Sequence, residues 1–532
     1  MKNTKIIFFK KKPIFKMVFP ILILVFAAVV HSILDGKLPL TGDEAYYWTW
    51  SRHLALGYHD QPPLVAWIIA FFSIFGKTVF WVRFPAVILT FFSGFLFFLF
   101  SKDLCGSYEK GIMALFLFLF TPILAVISLA IFPDIPLLFS WSLFLWSSWK
   151  WLQDDRFWVV MGIAFGLAML SKLMGLFLFP SFLLFLVLSE NHRSFLKKTS
   201  LWMSLFLSLI AASPFLYWNF LHHFQNFAYQ FDFRLERKLI FSTSLFLTYL
   251  SLEMFVLFPL IFAMVVGVLL WLFRRAFQKD WKAIYVLSMA LPIILFFFAA
   301  SFFIHVGLHW ALPGYLALFA VLPEWAYSAR LKIFPVRKWM ISGKSFLVFS
   351  LACSFCFSSF LFSILFWPKT LIPWISSLNL RYRDVNHGQP IKTQSLSEVL
   401  GYRKLGRAVL HDYGEICKTR KCFVFTDSYS LSSIISFYSN LPAKTILFTS
   451  MGGEYSQWDH WKDGVGDNAL YVDTQPIGTR LDIDSILQKA FKKINPLPSL
   501  SVKEKGFDAK TFYFARCQDL VAPSSLEPMK NG

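Results

Sequence analysis

The chain has 532 residues, of which 57% are hydrophobic and only 15% are charged, and it contains 65 phenylalanines. This composition excludes an ordinary soluble globular protein and is typical of a chain whose helices face lipid. The net charge of +20 would suggest a nucleic-acid partner in a soluble protein. Because the basic residues here lie between apolar segments, we attribute the charge to the orientation of membrane helices and predict no nucleic-acid partner.

The N-terminus is basic, with six lysines from Lys2 to Lys16, and a long apolar run follows it. A secretory signal peptide begins in the same way. This run is long enough to cross a bilayer, and no A-x-A-like cleavage site follows Val30. We therefore predict an uncleaved first membrane helix with a cytoplasmic N-terminus.

Apolar segments with about the 20 residues that a membrane-crossing helix needs recur along the first two thirds of the chain. They lie at 17–34, 80–100, 111–130, 135–150, 157–171, 174–189, 200–217, 243–272, 283–304, 311–327 and 345–366. We predict a polytopic α-helical protein of the bacterial inner membrane with roughly eleven transmembrane helices. Alternate loops are rich in Lys and Arg, as the positive-inside rule requires for a cytoplasmic N-terminus.

The C-terminal part has the composition of a soluble domain from about Trp367 onward. A helix-like stretch at Ser430 to Tyr438 lies among short β-like runs at Cys422 to Phe425, Thr445 to Phe448, Ala469 to Val472 and Thr511 to Ala515. An odd number of crossings places this part on the extracytoplasmic, periplasmic side. We predict a transmembrane domain at 1–366, with its first extracytoplasmic loop at 35–79, and an α/β domain at 367–532.

Two cysteines of the C-terminal part, Cys417 and Cys422, flank a short loop. An oxidising compartment would allow them to form a disulfide, and the sequence leaves open whether they do.

The first extracytoplasmic loop is dense in polar and aromatic residues, in the runs TGDEAYYWTW at 41–50 and GYHDQPPL at 57–64. Adjacent carboxylates such as Asp43 and Glu44 can accept a proton, hold a cation or cap a helix at a membrane surface. Asp43 also stands where an N-cap would precede a helix through Tyr46 to His53. A catalytic and a capping role are both open for Asp43 at this point.

Two further charged residues lie at the ends of apolar segments on the same predicted face. Asp134 follows Pro133 at the end of an apolar segment. A carboxylate this close to hydrocarbon usually has a partner or a function. The alternative is that Asp134 is a loop residue exposed to water. Lys172 opposes the positive-inside trend. A phosphate-bearing substrate would supply its missing counter-charge, and a lysine that reaches the lipid headgroups is the alternative. Arg83, at the start of the second segment, is a similar case.

Other polar groups on this face are weaker candidates. They are Asn219, His222, His223, Gln225, Asp232, Arg234, Glu236, His305, His309 and Trp310. Neighbouring histidines such as His222 and His223 diverge on a helix and are a weak indication of a metal site. Glu253 lies within a predicted span and is a functional candidate, because placing an acidic side chain inside a membrane costs free energy. The alternative is that nearby Ser and Tyr side chains form hydrogen bonds with it and that it has no further role.

These segments, in this order, resemble the bacterial members of glycosyltransferase family 39, a group that includes protein O-mannosyltransferases and the lipid A aminoarabinose transferase. The residues that carry the resemblance are 43–47, 58–64, 83–85, 133–134, 136–138, 166–168, 171–172, 214, 218–219 and 309–311. The resemblance covers the membrane part of the chain. The Asp-Glu loop and the following Pro-Pro element are specific as a combination, whereas each alone is weak.

The resemblance implies a GT-C membrane fold and a lipid-phosphate sugar donor, and the sequence itself contains no Walker loop or Rossmann fingerprint for a nucleotide. It implies that Asp43 is the catalytic acid, that Glu44 supports it and that Asp134 is a second catalytic acid. It assigns substrate binding to Tyr58, Asp60, Gln61, Arg83, Lys172, Asn219 and His309. Lys172 and Arg83 would face the carrier phosphate.

The chain departs from the family at Gln61, where relatives commonly have Lys or His, so a cationic contribution to phosphate binding is missing there. The cofactor question also stays open. Some relatives hold a metal at this site, so a divalent cation is an alternative to no cofactor, and the sequence assigns it no ligand.

The predicted function is transfer of a sugar from a polyprenyl-phosphate donor to an extracytoplasmic acceptor, lipid A or another envelope glycan, with inversion at the anomeric carbon. The expected partners are this donor, the lipid or glycan acceptor and membrane lipids. A protein O-mannosyltransferase-type activity is the alternative. A lipid-linked-sugar flippase is a further one, although the internal repeats that many transporters carry are not evident in the sequence.

Overall fold

A computed structural model describes residues 13–229, 240–332, 340–366, 401–418, 421–446, 453–504 and 507–526. The membrane part is built from helices that meet end to end through short loops. Their bounds are α1 (Pro13–Asp35), α2 (Gly42–Arg52), α3 (Leu64–Phe72), α4 (Val79–Cys105), α5 (Tyr108–Phe120), α6 (Pro122–Ile127), α7 (Asp134–Trp151), α8 (Trp158–Ser171), α9 (Leu178–Leu188), α10 (Thr199–Leu221), α11 (Thr243–Val256), α12 (Pro259–Phe277), α13 (Trp281–Ala300), α14 (Leu312–Ser328) and α15 (Gly343–Phe366). A small hairpin of β1 (Arg330–Lys332) and β2 (Met340–Ser342) joins α14 to α15.

Six of the helices in the described ranges are long and apolar enough to cross a membrane. They lie at Met17–Leu34, Val79–Cys105, Thr199–Leu221, Pro259–Phe277, Trp281–Ala300 and Gly343–Ser363. Each coincides with an apolar segment of the sequence, because lipid-facing helices are apolar around most of their circumference. A multi-pass membrane protein is thus confirmed.

The prediction of one continuous helix over 243–272 is wrong. The segment forms two helices, α11 and α12, which are separated at Leu257 and Phe258, just before Pro259. Proline cannot donate a backbone hydrogen bond and disfavours a helical residue before it, and Phe258 is not helical, with φ 71°. With 14 residues, α11 is about 21 Å long, which is too short for a hydrocarbon core of about 30 Å.

The C-terminal part forms a mixed sheet with helices. Its helices are α16 (Tyr402–Ile416), α17 (Tyr429–Ser439), α18 (Tyr455–Trp458) and α19 (Leu481–Ala490), and its strands are β3 (Cys422–Thr426), β4 (Ala443–Thr445), β5 (Asn468–Asp473), β6 (Phe491–Glu504) and β7 (Phe507–Leu520). The strand order is β4-β3-β5-β7-β6. Strands β3, β4 and β5 pair in parallel, whereas β7 pairs antiparallel with β5 and β6.

The sequence predicted this α/β sheet but missed β6, whose lysines and prolines at 492–498 obscure the alternation expected of a strand. Cys417 and Cys422, left open by the sequence, are joined by a disulfide. The predicted domain boundary adjoins residues 367–400, and the predicted strand at Thr445 to Phe448 extends past Ile446. Both stretches lie outside the described residues.

The C-terminal part packs on the first loop of the membrane part through α17 and α2. Trp48 of α2 meets the ring of Phe437 edge-on at 5.0 Å, and His53 stacks on Trp458 at 4.5 Å. A methyl group added at Gly42 would overlap the side chain of Ser430. This packing brings the start of α17 against the start of α2.

Candidate active site

A cavity of about 380 Å³ opens where the first loop meets the ends of α6, α7 and α8. Its polar lining comes from several separate elements, and apolar side chains complete it. The lining residues are Asp43, Tyr47, Gln61, Ile123, Val126, Ile127, Phe132, Pro133, Asp134, Lys172, Leu173, Met174, His309 and Trp310. Five predicted site residues, Asp43, Gln61, Asp134, Lys172 and His309, therefore meet at one cavity.

The capping role that the sequence left open for Asp43 is not borne out by the structure. The cap of α2 is Thr41, whose hydroxyl accepts a hydrogen bond from the Glu44 backbone N–H at 3.2 Å, while the Glu44 carboxylate accepts one from the Thr41 N–H at 2.9 Å. This capping box has the sequence signature Thr-x-x-Glu, which could have been recognised in the run 41–44. Asp43 does not cap the helix; it lies in the first turn of α2 and lines the cavity.

Glu44 forms a buried ion pair with Arg83 of α4. Arg83 donates from Nε to Glu44 Oε1 at 2.7 Å and from Nη2 to Oε2 at 2.6 Å. The guanidinium also donates to the carbonyls of Leu38 and Pro39 at 3.1 and 2.7 Å, and Glu44 Oε1 accepts from the Ile131 N–H at 3.2 Å. The structure thus places Arg83 on Glu44 rather than at the cavity, where it was expected to face a phosphate.

Asp134 begins α7 and pairs with Lys172, which follows α8. The Lys172 ammonium donates to both carboxylate oxygens of Asp134, at 2.8 and 2.9 Å. The two side chains are 8% and 7% exposed. The interpretation of Lys172 as a cation without a protein counter-charge was therefore wrong, because Asp134 supplies that charge. His309 Nε2 lies 3.7 Å from the other side of the same carboxylate.

The second half of the first loop is held by its own aromatic residues. Tyr58 stacks on Trp50 at 4.2 Å and donates from its buried hydroxyl to the Trp50 and His53 carbonyls at 3.1 Å each. Tyr58 thus holds the loop together and is not among the residues that line the cavity, and its substrate contact stays a prediction. Gln61, whose carbonyl accepts from the Tyr58 N–H at 3.2 Å, reaches the cavity.

Asp60 lies beside the C-terminal part. His59 Nδ1 is 3.0 Å from Asp60 Oδ1, and the His59 backbone N–H donates to the carboxylate of Glu454. Burial, and then the charge of Asp60, raises the pKa of Glu454 to about 7. The Glu454 backbone N–H donates to the Tyr46 hydroxyl at 2.7 Å. Sequence reasoning missed Glu454 because its contacts are 395 residues away in the chain.

Asn219 is buried in α10, where its amide donates to the Phe215 carbonyl at 3.0 Å, and it does not line the cavity. A neighbour that the sequence did not single out, Asn226, donates to the carbonyls of Tyr58 and His59 at 2.9 and 3.1 Å. Asn226 therefore fixes the first loop from the α10 side. Asp232, Arg234 and Glu236, three weaker candidates, lie outside the described residues.

Glu253 of α11 is buried next to Tyr249, and none of the described residues reaches either carboxylate oxygen at hydrogen-bond geometry. Nor does it line the cavity, so no site role is assigned to it here. In the same described ranges, no three His, Cys, Asp or Glu side chains converge as metal ligands would. We therefore assign no residue to a metal.

The known proteins to which this chain is similar include glycosyltransferases. The family described as dolichyl-phosphate-mannose-protein mannosyltransferase matches residues 60–218. The lipid A galacturonosyltransferase RgtD of Rhizobium johnstonii is 25% identical over 322 residues, which are 59% of this chain and 66% of that protein. The match thus spans just under two thirds of that relative.

Two solved structures of ArnT from Cupriavidus metallidurans have a similar architecture. The one bound to undecaprenyl phosphate superposes with a TM-score of 0.61 at 15% identity, and the apo one with 0.57 at 16%. Each alignment covers 93% of this chain and 97% of the other. The similarity confirms the predicted GT-C fold.

Proposed function

We propose that the chain is a GT-C glycosyltransferase of family 39, which transfers a sugar from a polyprenyl-phosphate donor to an acceptor in the cell envelope. The observation that carries this proposal is the cavity in which the Asp43 carboxylate and the Asp134–Lys172 ion pair both take part. One charged group suits the acceptor and the other the departing phosphate.

Lys172 is the group suited to the phosphate. An ammonium has three hydrogen-bond donors, and in the described part of the chain its hydrogen bonds go to Asp134 alone. Asp134 holds this cation at the cavity wall. Positive charge placed in advance stabilises the negative charge that develops on the leaving phosphate as the bond from the anomeric carbon breaks.

Asp43 is the group suited to the acceptor. If the acceptor is a hydroxyl, Asp43 takes its proton as the oxygen attacks the anomeric carbon. If the acceptor is a phosphate, the nucleophile is already ionised and Asp43 only positions it. Either course is a direct displacement with inversion, so a covalent glycosyl-enzyme on Asp43 or Asp134, or a product with retained configuration, would refute it.

For the acceptor we propose lipid A or another envelope glycan. The chain resembles a relative whose name specifies lipid A as its acceptor, and a solved structure of similar fold contains undecaprenyl phosphate. The matched family is described by a protein acceptor, which keeps protein O-mannosylation as a second candidate. Comparing envelope lipids and glycoproteins by mass spectrometry, with and without the gene, separates the two.

We also propose the topology and domain division read from the sequence. The N-terminus would be cytoplasmic in the inner membrane, and the C-terminal α/β domain at 367–532 would be periplasmic. Support comes from the Lys and Arg clusters at the opposite ends of the helices from the cavity, such as Lys150 at the end of α7, which begins at Asp134. Cysteine labelling from either side of sealed vesicles tests this arrangement.

The central test is a vesicle assay with radiolabelled polyprenyl-phosphate sugars. We expect Asp43→Asn to reduce transfer at least about 100-fold, the usual effect of removing a positioned acid or base. The matched control is Asp154→Asn, since Asp154 lies beyond the far end of α7 in a surface pair with Arg156, and it should transfer like the wild type. Full transfer by Asp43→Asn would remove Asp43 from the site. Absence of transfer from any carrier would favour the flippase alternative.

A further inference from the structure

Tyr429, the first residue of α17 in the C-terminal domain, reaches the cavity acid Asp43 of the membrane part. Its hydroxyl lies 3.3 Å from Asp43 Oδ1, and an ionised carboxylate can only accept, so the phenol is the donor. This is a long hydrogen bond, as contacts at catalytic groups often are before substrate binds. It joins residues 386 positions apart in the chain.

The surroundings hold Tyr429 in this position. Its ring packs against that of Tyr46 at 4.4 Å, and its backbone carbonyl accepts from the Ser433 hydroxyl at 2.7 Å. The preceding residue is fixed as well, because the Thr426 hydroxyl donates to the Ser428 carbonyl at 2.9 Å. Residues of both the membrane part and the C-terminal part therefore hold the phenol in place.

The hydroxyl keeps its proton at every working pH. Burial, and then the negative charge of Asp43, raises the pKa of Tyr429 above its ordinary value. A neutral phenol beside a carboxylate remains a donor, and a donor to the charged form of an acid favours that form.

We propose that Tyr429 is a positioning residue which the C-terminal domain contributes to the active site, where its hydroxyl donates to one oxygen of Asp43 and helps to fix the direction of that carboxylate. This inference rests on the proposed function and extends it. The C-terminal domain is then part of the catalytic unit, since Tyr429 reaches Asp43 only while α17 is packed on α2. Tyr429 acts through Asp43 and need not touch the sugar.

The test compares two phenylalanine substitutions in the full-length enzyme. Tyr429→Phe removes the hydroxyl that meets Asp43. Tyr438→Phe removes a hydroxyl from the same helix that accepts from the Leu40 N–H at 2.8 Å and so contributes to packing alone. Transfer is measured from pH 4 to 9 with both substrates varied, and thermal unfolding in detergent is recorded for both variants.

We expect Tyr429→Phe to lower kcat by about tenfold, the size of a hydrogen bond to a charged group, and to change the donor KM by less than about twofold. The acidic limb of its pH profile should move upward by about half a unit or more, because the Asp43 carboxylate loses a donor. Tyr438→Phe should retain the wild-type kcat within about twofold and the wild-type limb.

A kcat and acidic limb unchanged in Tyr429→Phe would overturn the inference, as would an equal loss in both variants with equally lowered unfolding temperatures. The proposed function fails differently. In that case the wild-type enzyme itself transfers nothing from any polyprenyl-phosphate sugar, or Asp43→Asn transfers as well as the wild type.

Discussion

Two buried ion pairs lie at the same end of the membrane part, and they differ in what surrounds them. The Glu44–Arg83 pair is surrounded by protein groups, because two backbone carbonyls accept from Arg83 and two backbone N–H groups donate to Glu44. The Asp134–Lys172 pair instead forms part of the cavity wall. Both are doubly hydrogen-bonded and almost fully buried, so chemical type and burial alone do not distinguish a structural pair from a functional one.

This difference shows that a buried ion pair acts on a substrate only if one of its charged groups also lines the cavity. Glu44 and Arg83 connect α2, the loop before it, α4 and the connection to α7, and thereby fix the direction in which Asp43 points. Lys172 donates to Asp134, and it also lines the cavity. We therefore expect damage to the first pair to appear in stability and damage to the second to appear in transfer.

The largest effect on stability should come from Glu44→Gln. The change leaves the Arg83 guanidinium buried without a charge partner, which typically costs about 3–5 kcal/mol. The control is Asp103→Asn, which breaks a partly exposed pair with Lys150 at 2.7 Å and should cost about 1 kcal/mol or less. Thermal unfolding in detergent measures both changes.

Combining Glu44→Gln with Arg83→Met should restore part of the lost stability, because apolar replacement of a whole buried pair is often nearly neutral. If the Glu44→Gln protein were as stable as the wild type but had transfer reduced as in Asp43→Asn, the Glu44–Arg83 pair would be catalytic. The distinction between a structural and a functional ion pair would then be wrong.

A smaller effect is expected when Lys172 becomes Met. Transfer should fall by about 100-fold, since a charge aimed at a developing anion is worth about 3–4 kcal/mol, while the unfolding temperature changes less than in Glu44→Gln because water in the cavity can solvate Asp134. The matched control is Lys110→Met, whose ammonium lies 3.7 Å from Glu324, away from the cavity. Transfer near the wild-type rate in Lys172→Met would leave the second pair as structural as the first.

The sequence was sufficient to bring the cavity residues together but not to pair them. Asp43, Gln61, Asp134, Lys172 and His309 follow or precede apolar segments whose parity places them on one face, and they do line one cavity. Hydropathy records only the depth of a residue in the membrane. It does not record which helices are neighbours, so the partner of Lys172 could not be predicted.

The contacts between the two domains were beyond sequence reasoning for a related reason. Nothing in the sequence indicated that Tyr429 or Glu454 contacts the first loop, because their partners there are nearly 400 residues away. No local pattern encodes such a contact. The break before Pro259, in contrast, was indicated by the proline itself and was missed because the segment was uniformly apolar.

Glu454 is a buried carboxylate that forms no ion pair among the described residues. The smallest predicted effect is the pH dependence of stability that follows from its protonation. Its pKa is raised from 4.5 to about 7 in the packed state, so the protonated form is favoured there. This contribution is fully present below pH 4.5 and is lost as pH rises through 7. The packing of the C-terminal domain should therefore weaken between pH 4.5 and about 7, by on the order of 3 kcal/mol.

Thermal unfolding in detergent at a series of pH values measures this loss, and Glu454→Gln should remove most of it because the amide stays neutral throughout. A residual slope is expected from Asp459, whose burial also raises its pKa to about 7, and it should disappear when Asp459→Asn is added. A pH slope equally steep with and without Glu454 would mean that this acid is stabilised as the two pairs are, and the contrast between paired and unpaired carboxylates would no longer hold at the domain interface.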